Sequence, residues 1–250
     1  NNLSGGTISV QDPTLAYVKN DTLLLSSFSI TGITGSGTDD FEQNAISGVV
    51  NISTAAGNTA STYLRGNIFY NDFTFTNNGS NVYESYNQTD EYRGNATFVH
   101  ANAATTFYIA YGEPTLFNRN LTVNSSNNLF SIDSLKFVGN TNAVFEQLGS
   151  QTFVFTRSVI NKTGGATVTL NDRILASGHM RFQNGFLVTS PTAQVEFTDN
   201  ATWAGASNTS HVKGVVQKLG NDAFTFPVGD GSTLKTVTMS APANATDVYS

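Results

Sequence analysis

The sequence predicts an all-β fold: a right-handed parallel β-helix followed by a partial β module. One observation is a succession of short runs in which apolar and polar residues alternate, separated by Gly, Asn, Asp and Ser. Such runs are typical of strands, and such separators are typical of turns. The other observation is a repeat of about 25 residues in the first half of the chain, a length typical of one solenoid coil. Periodicity of the helical kind is nearly absent.

In this repeat a large hydrophobic residue is followed three positions later by asparagine. The asparagines are Asn44, Asn67, Asn95 and Asn120, at spacings of 23, 28 and 25 residues. We predict that their side chains form one ladder along a single corner, each amide bonded to the next, because Asn stacks well and tolerates left-handed backbone. Replacing Asn95 by Leu is then expected to break the ladder.

Ten alternating runs predict the strands of the coils. They cover residues 23–30, 48–52, 73–76, 96–99, 107–111, 121–123, 135–138, 153–156, 166–170 and 194–198. Alternate residues of a strand point to opposite faces, so Phe, Tyr, Val, Leu and Ile are expected to point inward and to stack along the axis. We therefore assign residues 1–205 to the β-helix repeat region.

The repeat is lost after about Gly205. Residues 206–250 contain two or three strand-like runs around the turn sequence of residues 227–231, PVGDG. This pattern predicts the start of a β-sandwich-like or capping module. The chain opens on Asn1 within repeat-like sequence, so we expect it to be an internal fragment of a longer exported protein.

Composition excludes several classes of protein. Charged residues make up 12% of the chain, against roughly 25% in most soluble domains, but 18 Phe and 9 Tyr exclude a disordered chain. The net charge is −6 and the basic residues are scattered, which argues against nucleic-acid binding. Cysteine is absent, so no disulfide or thiolate metal site is expected, and no apolar run predicts a transmembrane segment. We expect no cofactor and no metal.

Three segments carry a family resemblance. Residues 93–98 (RGNATF) and 118–123 (NRNLTV) resemble the F-N-G-N-x-T-[FV]-N repeats of large Bacteroidota surface proteins. Residues 214–229 resemble the G-x-V-x-K-x-G…F-x-F-P-V-G segment that follows such repeats, so that the resemblance spans roughly residues 64–242. The chain departs from the pattern at Leu148, where the repeat lacks its asparagine.

The resemblance implies a large adhesin that is secreted or attached to the bacterial cell surface, outside the outer membrane. Export by the type IX secretion system is implied as well, and some members of the family take part in gliding motility. Surface glycans or other cell-surface proteins are the implied partners, besides the secretion machinery during export. These properties come from the family and not from the residues themselves.

The same resemblance implies O-glycosylation, because Bacteroidota modify Asp-Ser/Thr followed by a small aliphatic, Leu, Met or Thr residue. Asp21-Thr22-Leu23 and Asp133-Ser134-Leu135 match this pattern, which predicts modified residues at Thr22 and Ser134. The alternative is a chance match, because a three-residue pattern arises readily in a chain rich in Ser and Thr.

No catalytic pattern is evident in the sequence, and we predict a structural and adhesive protein instead of an enzyme. His100, His179 and His211 do not have metal-binding spacing, and no G-x-S-x-G elbow occurs. One alternative is a carbohydrate-active β-helix enzyme that uses the acidic doublets at residues 39–40 and 90–91.

The other alternative is a glycan-binding module without turnover. Tyr86 and Tyr111, 25 residues apart, would form an aromatic track for sugars, and Trp203 would add a further ring. For both tyrosines stacking inside the fold or along one face is the preferred interpretation, and for Trp203 it is closure of the last coil.

Overall fold

The structure, a computed structural model, describes residues 2–101, 104–125, 127 and 129–250. Within these ranges every regular element is a β-strand and no helix forms. It follows that no described segment is a helix long and apolar enough to cross a membrane. The strands wind into a parallel β-solenoid of about nine turns, each of roughly 23 residues. The predicted all-β parallel β-helix is confirmed.

The strands, numbered β1 to β32 along the chain, form three parallel stacks that run the length of the solenoid. Stack A contains β3 (Tyr17–Lys19), β6 (Thr38–Glu42), β9 (Ser61–Arg65), β12 (Asn81–Glu84), β15 (Phe107–Ile109), β18 (Leu129–Ser131), β25 (Val195–Phe197) and β28 (Val216–Leu219). Stack B contains β1 (Asn2–Ser4), β4 (Thr22–Leu24), β7 (Ala45–Ile46), β10 (Ile68–Phe69), β13 (Glu91–Tyr92), β16 (Thr115–Phe117), β19 (Ser134–Phe137) and β26 (Thr202–Ala204).

Stack C supplies the third side. It contains β2 (Thr7–Gln11), β5 (Ser27–Ile33), β8 (Val49–Thr54), β11 (Phe73–Asn77), β14 (Ala96–His100), β17 (Leu121–Ser125), β20 (Ala143–Leu148), β22 (Thr167–Leu170), β24 (Phe186–Val188), β27 (Val212–Lys213) and β30 (Val228–Gly229). Two long strands, β21 (Val154–Asn161) and β23 (Ile174–Asn184), run through stacks A and B without a break.

The core consists of side chains stacked along the axis, as the alternation predicts. In stack B, Ile46, Phe69, Tyr92, Phe117 and Phe137 occupy one register position on successive coils. The ring centroids of Phe69 and Tyr92 are 5.1 Å apart, and those of Tyr92 and Phe117 are 5.3 Å apart. Each such pair adds about 0.5–1.5 kcal/mol to the hydrophobic effect of burial.

The corner between stacks A and B varies in length, and this variation positions the site described below. In two early coils the corner is short, and Gln43 and Gly66 supply its left-handed residue, with φ of 54° and 71°. In the next two coils the corner expands to residues 85–90 and 110–114. It returns to residues 132–133 one coil later. The expanded corner at residues 85–90 is offset by a shorter connection before β12, so the register of stack B stays at 23 residues from Phe69 to Tyr92.

Parallel stacking does not stop near residue 205. Val212 of β27 still pairs in parallel with Val228 of β30, in stack C. The antiparallel strand pairs involve the last strands of the chain: β29 (Phe224–Phe226) pairs with β31 (Val237–Met239), and β32 (Val248–Tyr249) pairs with β28. Pro227 and the glycines around it interrupt the alternation in the sequence and conceal this coil. The division into domains 1–205 and 206–250 stays a prediction, but the stacking itself extends past its boundary.

A glycine at the corner between stacks B and C generates a stability prediction. A Cβ added at Gly94 would lie 2.3 Å from the carbonyl carbon of Asn71, whereas one added at Gly57 would meet nothing within 4 Å. The Asn71 backbone is held by its own coil, so Gly94→Ala should lower the free energy of unfolding by about 1–3 kcal/mol. Gly57→Ala should change it by less than about 0.5 kcal/mol. Urea unfolding followed by circular dichroism measures both, and equal midpoints for the two variants would contradict the close packing of coils at Gly94.

Candidate functional site

Five tyrosines cluster on the outside of the solenoid, and we name them the tyrosine surface: Tyr63, Tyr83, Tyr86, Tyr108 and Tyr111. Each is half-buried. The cluster spans three successive coils, from the one that contains β9 to the one that contains β15. An aromatic group of this size on the outer face is the feature of the chain best suited to contact another molecule.

The strand alternation points three of these rings outward. In β15, Phe107 and Ile109 are buried in the core, so Tyr108 between them faces outward. The same pattern in β9 and β12 turns Tyr63 and Tyr83 outward. Because the coils are in register, the three tyrosines occupy equivalent positions and stack on one another.

The rings of this first column are nearly parallel. The centroids of Tyr63 and Tyr83 are 5.1 Å apart with an interplanar angle of 15°, and those of Tyr83 and Tyr108 are 5.4 Å apart at 17°. Phe130, 40% exposed, continues the column on the next coil at 6.0 Å from Tyr108. The column therefore extends over four coils.

The expanded corners supply a second column beside the first. Tyr86 and Tyr111 follow Ser85 and Ala110, whose left-handed backbone (φ 53° and 57°) turns the chain at the end of β12 and β15. Their rings lie 5.7 Å apart and within 9° of parallel. Tyr86 meets Tyr63 edge-on at 4.7 Å, and Tyr111 meets Tyr83 edge-on at 5.0 Å. The two columns thus form one continuous surface.

The polar ends of these rings remain available. Among the described residues, none lies within hydrogen-bonding distance of the five phenolic hydroxyls. Burial raises the pKa of Tyr83, and the neighbouring tyrosines raise it further, so its hydroxyl is neutral at physiological pH. Each ring therefore offers an apolar face together with an unused donor and acceptor.

A buried acidic pair lies beneath the expanded corners. Glu84 and Asp90 have no exposed surface. The Glu84 carboxylate accepts hydrogen bonds from Ala110 N at 2.8 Å and Thr115 Oγ1 at 2.5 Å. One oxygen of Asp90 accepts from Ser85 N at 2.8 Å, and the other accepts from the backbone N and the side-chain Nδ2 of Asn67. Each carboxyl group is thus bound to the loop that covers it.

Burial dominates the titration of this pair. It raises the pKa of Glu84 to about 8, with repulsion from Asp90 as the second cause, and it raises the pKa of Asp90 to about 7. Asp90 is the better satisfied anion because three N–H groups donate to it, so Glu84 holds the proton more tightly. Since both carboxyl groups are closed to solvent, they are structural groups and not an acid–base pair facing a substrate.

The predicted ladder exists, but only for the first two asparagines. Asn44 Nδ2 donates to Asn67 Oδ1 at 2.9 Å, and Asn67 Nδ2 donates to Asp90 Oδ1 at 2.8 Å. The amides also donate to the carbonyl oxygens of Val18 and Phe41, both at 2.8 Å. The ladder therefore continues from Asn44 and Asn67 to Asp90, an aspartate that the aromatic-x-x-Asn pattern does not include.

Asn95 and Asn120 lie at a different corner, so the prediction of a single ladder of four asparagines is wrong. Their neighbours Ala96 and Leu121 pair in stack C, which places both asparagines between stacks B and C. Asn95 Nδ2 donates to Asp72 Oδ1 at 3.1 Å, at a partly exposed position. Asp90 follows Asn67 by 23 residues at the same corner, and Asn95 follows Asp90 by five residues at the next corner, so the asparagine pattern crosses from one corner to the other.

The predicted glycosylation residues lie on strands of stack B. Thr22 is exposed in β4, and Ser134 is half-buried in β19. Both positions leave the hydroxyl-bearing residue at or near the surface. Their modification stays a prediction.

The first acidic doublet has structural partners. Asp39 is buried and accepts from Ala16 N at 3.0 Å. Asp40 pairs with Lys19 at 2.6 Å and with Arg65. In the part of the chain that the structure describes, no group of three or more His, Asp or Glu residues is placed to hold a metal ion.

The three histidines and Trp203 also take up separate positions. His100 is buried, where desolvation lowers its pKa, His211 is buried on a later coil, and His179 is exposed and bonded to Thr202. Trp203 donates from Nε1 to the Thr225 carbonyl at 2.5 Å, so it connects its coil to the next one and does not close the end of the solenoid.

The ladder predicts unequal effects for two matched substitutions. Asn67→Leu removes the acceptor of Asn44 and the side-chain donor to Asp90 and to the Phe41 carbonyl in a buried site, so it should cost about 3–5 kcal/mol, since each orphaned group costs about 1–3 kcal/mol. Asn95→Leu removes one partly exposed hydrogen bond and should cost about 1 kcal/mol. Thermal and urea unfolding measure both, and a cost for Asn95→Leu equal to that for Asn67→Leu would contradict the assignment of the two corners.

The buried acidic pair predicts a pH dependence of stability. A carboxyl group whose pKa is raised in the folded state binds protons more tightly there than in the unfolded chain, so the free energy of unfolding falls as pH rises. The fall should begin above the ordinary pKa near 4.5 and be complete above about 8, and it should exceed about 1 kcal/mol between pH 5 and pH 8. Glu84→Gln should reduce this slope. Equal slopes in both proteins would contradict the prediction.

Comparison of the chain with protein-family models, with curated proteins and with solved structures finds no match. What the chain does must therefore be inferred from its own residues and their arrangement.

Proposed function

We propose that this chain is a non-catalytic, rod-like segment of a large exported cell-surface adhesin, and that the tyrosine surface is its contact with surface glycans. The observation that carries the proposal is the double column of tyrosines on successive coils. Its secretion, its location outside the outer membrane and its use of the type IX system are supported by the resemblance of residues 93–98, 118–123 and 214–229 to Bacteroidota surface proteins. Gliding motility is one setting in which such an adhesin acts.

The chemistry of the tyrosine surface suits sugars. A sugar ring has an apolar face of C–H groups and a rim of hydroxyls. Overlapping tyrosine rings offer a continuous apolar surface with polar tips, and aromatic residues are enriched where proteins bind partners. Tyr83 lies in contact with four other tyrosines, so its ring costs little conformational entropy to hold in place.

The solenoid suits an adhesive role. Coils of equal size place equivalent side chains at a fixed interval of about 4.8 Å, so a repeated ligand meets a repeated surface. The alternative of a carbohydrate-active enzyme needs two carboxyl groups that reach the substrate. Glu84 and Asp90, the acidic pair beneath the expanded corners that carry Tyr86 and Tyr111, are fully buried, which favours binding without turnover.

The test is glycan-array screening of the purified chain, followed by calorimetry with the best ligand. The double variant Tyr83→Leu/Tyr108→Leu keeps apolar cover over the core and removes the flat rings. It should weaken binding at least tenfold, or about 1.4 kcal/mol, as expected when central aromatic anchors are lost.

Tyr17→Ala is the matched control. Tyr17 is 59% exposed and occupies the same register position of stack A as Tyr63, two coils earlier. Asp40, on the coil between them, separates Tyr17 from the tyrosine surface. Its loss should change affinity less than twofold, about 0.4 kcal/mol. A role for the tyrosine surface would be refuted if the parent chain bound no glycan, or if the folded double variant still bound the glycan as tightly as the parent chain.

A further inference from the structure

A groove on stack B carries positive charge on an acidic chain, and we propose that it binds the sulfate or carboxylate groups of an acidic polysaccharide. This basic groove has a volume of about 490 Å³ and is formed across β19, β21 and β23. It is lined by Ser134, Lys136, Arg157, Val159, His179 and Arg181.

The coil register arranges these side chains in two adjacent files. Lys136, Val159 and Arg181 are paired across the three strands, and so are Ser134, Arg157 and His179. Two steps of about 4.8 Å put the backbones of Lys136 and Arg181 about 10 Å apart. Val159, 8% exposed, lies between them as the apolar floor. The groove therefore presents cations at intervals set by the solenoid.

The charge of the groove is only partly compensated. Within the described ranges, no carboxylate lies within ion-pairing distance of Lys136 or Arg181, and Arg157 pairs with Asp133 at 3.2 Å. By contrast, Arg65, Arg93 and Arg173 elsewhere on the rod are each held by a glutamate or aspartate. On a chain of net charge −6 this is a local region that attracts anions, and Arg and Lys bind sulfate and carboxylate through charge-assisted hydrogen bonds.

The position of the groove favours a polysaccharide as its ligand, a choice that rests on the proposed function. Phe130 ends the first column of rings, and Ser134 of the groove follows it on the same coil across the short corner at residues 132–133. A polymer whose sugars stack on the tyrosines can thus continue into the groove. Nucleic acid fits less well, because phosphate chains need a more extensive basic surface than two uncompensated cations provide.

The test measures binding of three polymers by biolayer interferometry: dextran sulfate, polygalacturonate and uncharged dextran. Lys136→Gln/Arg181→Gln should weaken binding of at least one of the two acidic polymers at least tenfold and leave uncharged dextran unaffected. A loss confined to dextran sulfate identifies sulfate as the group bound, and a loss confined to polygalacturonate identifies carboxylate. Lys136 and Arg181 lie on the outer face of the solenoid, so the double variant should keep the melting temperature of the parent chain.

Arg119→Gln/Lys213→Gln is the matched control. It removes the same amount of charge from two exposed residues outside the groove that likewise have no carboxylate partner among the described residues. It should change affinity less than twofold. Equal losses of affinity in the two double variants would show a nonspecific charge effect and overturn the proposal. Binding of a single-stranded DNA of similar length as tightly as the acidic polymers would also overturn it.

The outcome also separates this inference from the proposed function. If Tyr83→Leu/Tyr108→Leu abolishes glycan binding while Lys136→Gln/Arg181→Gln does not, the groove proposal fails and the tyrosine surface stands. If the groove variant alone loses the acidic polymers, the groove stands and the tyrosine proposal fails.

Discussion

The structure depends on the registered stacking of each coil on the next one. Parallel pairing fixes which residues meet across a coil boundary, and a shift by one residue would turn every inward side chain outward. Hydrophobic side chains alone would accept several registers. The buried hydrogen bonds from Asn44 to Asn67 and from Asn67 to Asp90 form in only one register, because a slip would leave amide and carboxyl groups unpaired inside the solenoid. Polar residues at this corner therefore specify the register that the aromatic stacks then stabilise.

The fold class could be predicted from the sequence because alternation and repeat length are local signals that the chain carries many times over. The ladder could be predicted only in part. Asn44 and Asn67 follow the pattern, whereas Asp90 replaces asparagine in the same file and Asn95 belongs to another corner. The spacing of 28 in place of 23 residues is a signal of the change of corner, because it consists of one coil of 23 residues, which ends at Asp90, and the five residues from there to the next corner.

The candidate site was visible in the sequence only through Tyr86 and Tyr111. Tyr63, Tyr83 and Tyr108 stand between buried neighbours in β9, β12 and β15, and sequence alternation does not tell an outward tyrosine from an inward one. Tyr92 shows the difficulty, because it is fully buried in the core. The basic groove was hidden for a related reason: its cations lie in separate coils, and only the coil register brings them onto one face.

The direction of the hydrogen bonds has a mechanical consequence for the solenoid. The backbone N–H and C=O groups bond from one coil to the next, so tension applied to the two chain ends loads one coil boundary at a time. A coil of roughly 23 residues that detaches adds about 80 Å of contour length, at about 3.5 Å per extended residue. Coils peeled in succession would dissipate a sudden pull while the remaining ones stay wound, so that the chain lengthens before the whole solenoid unfolds.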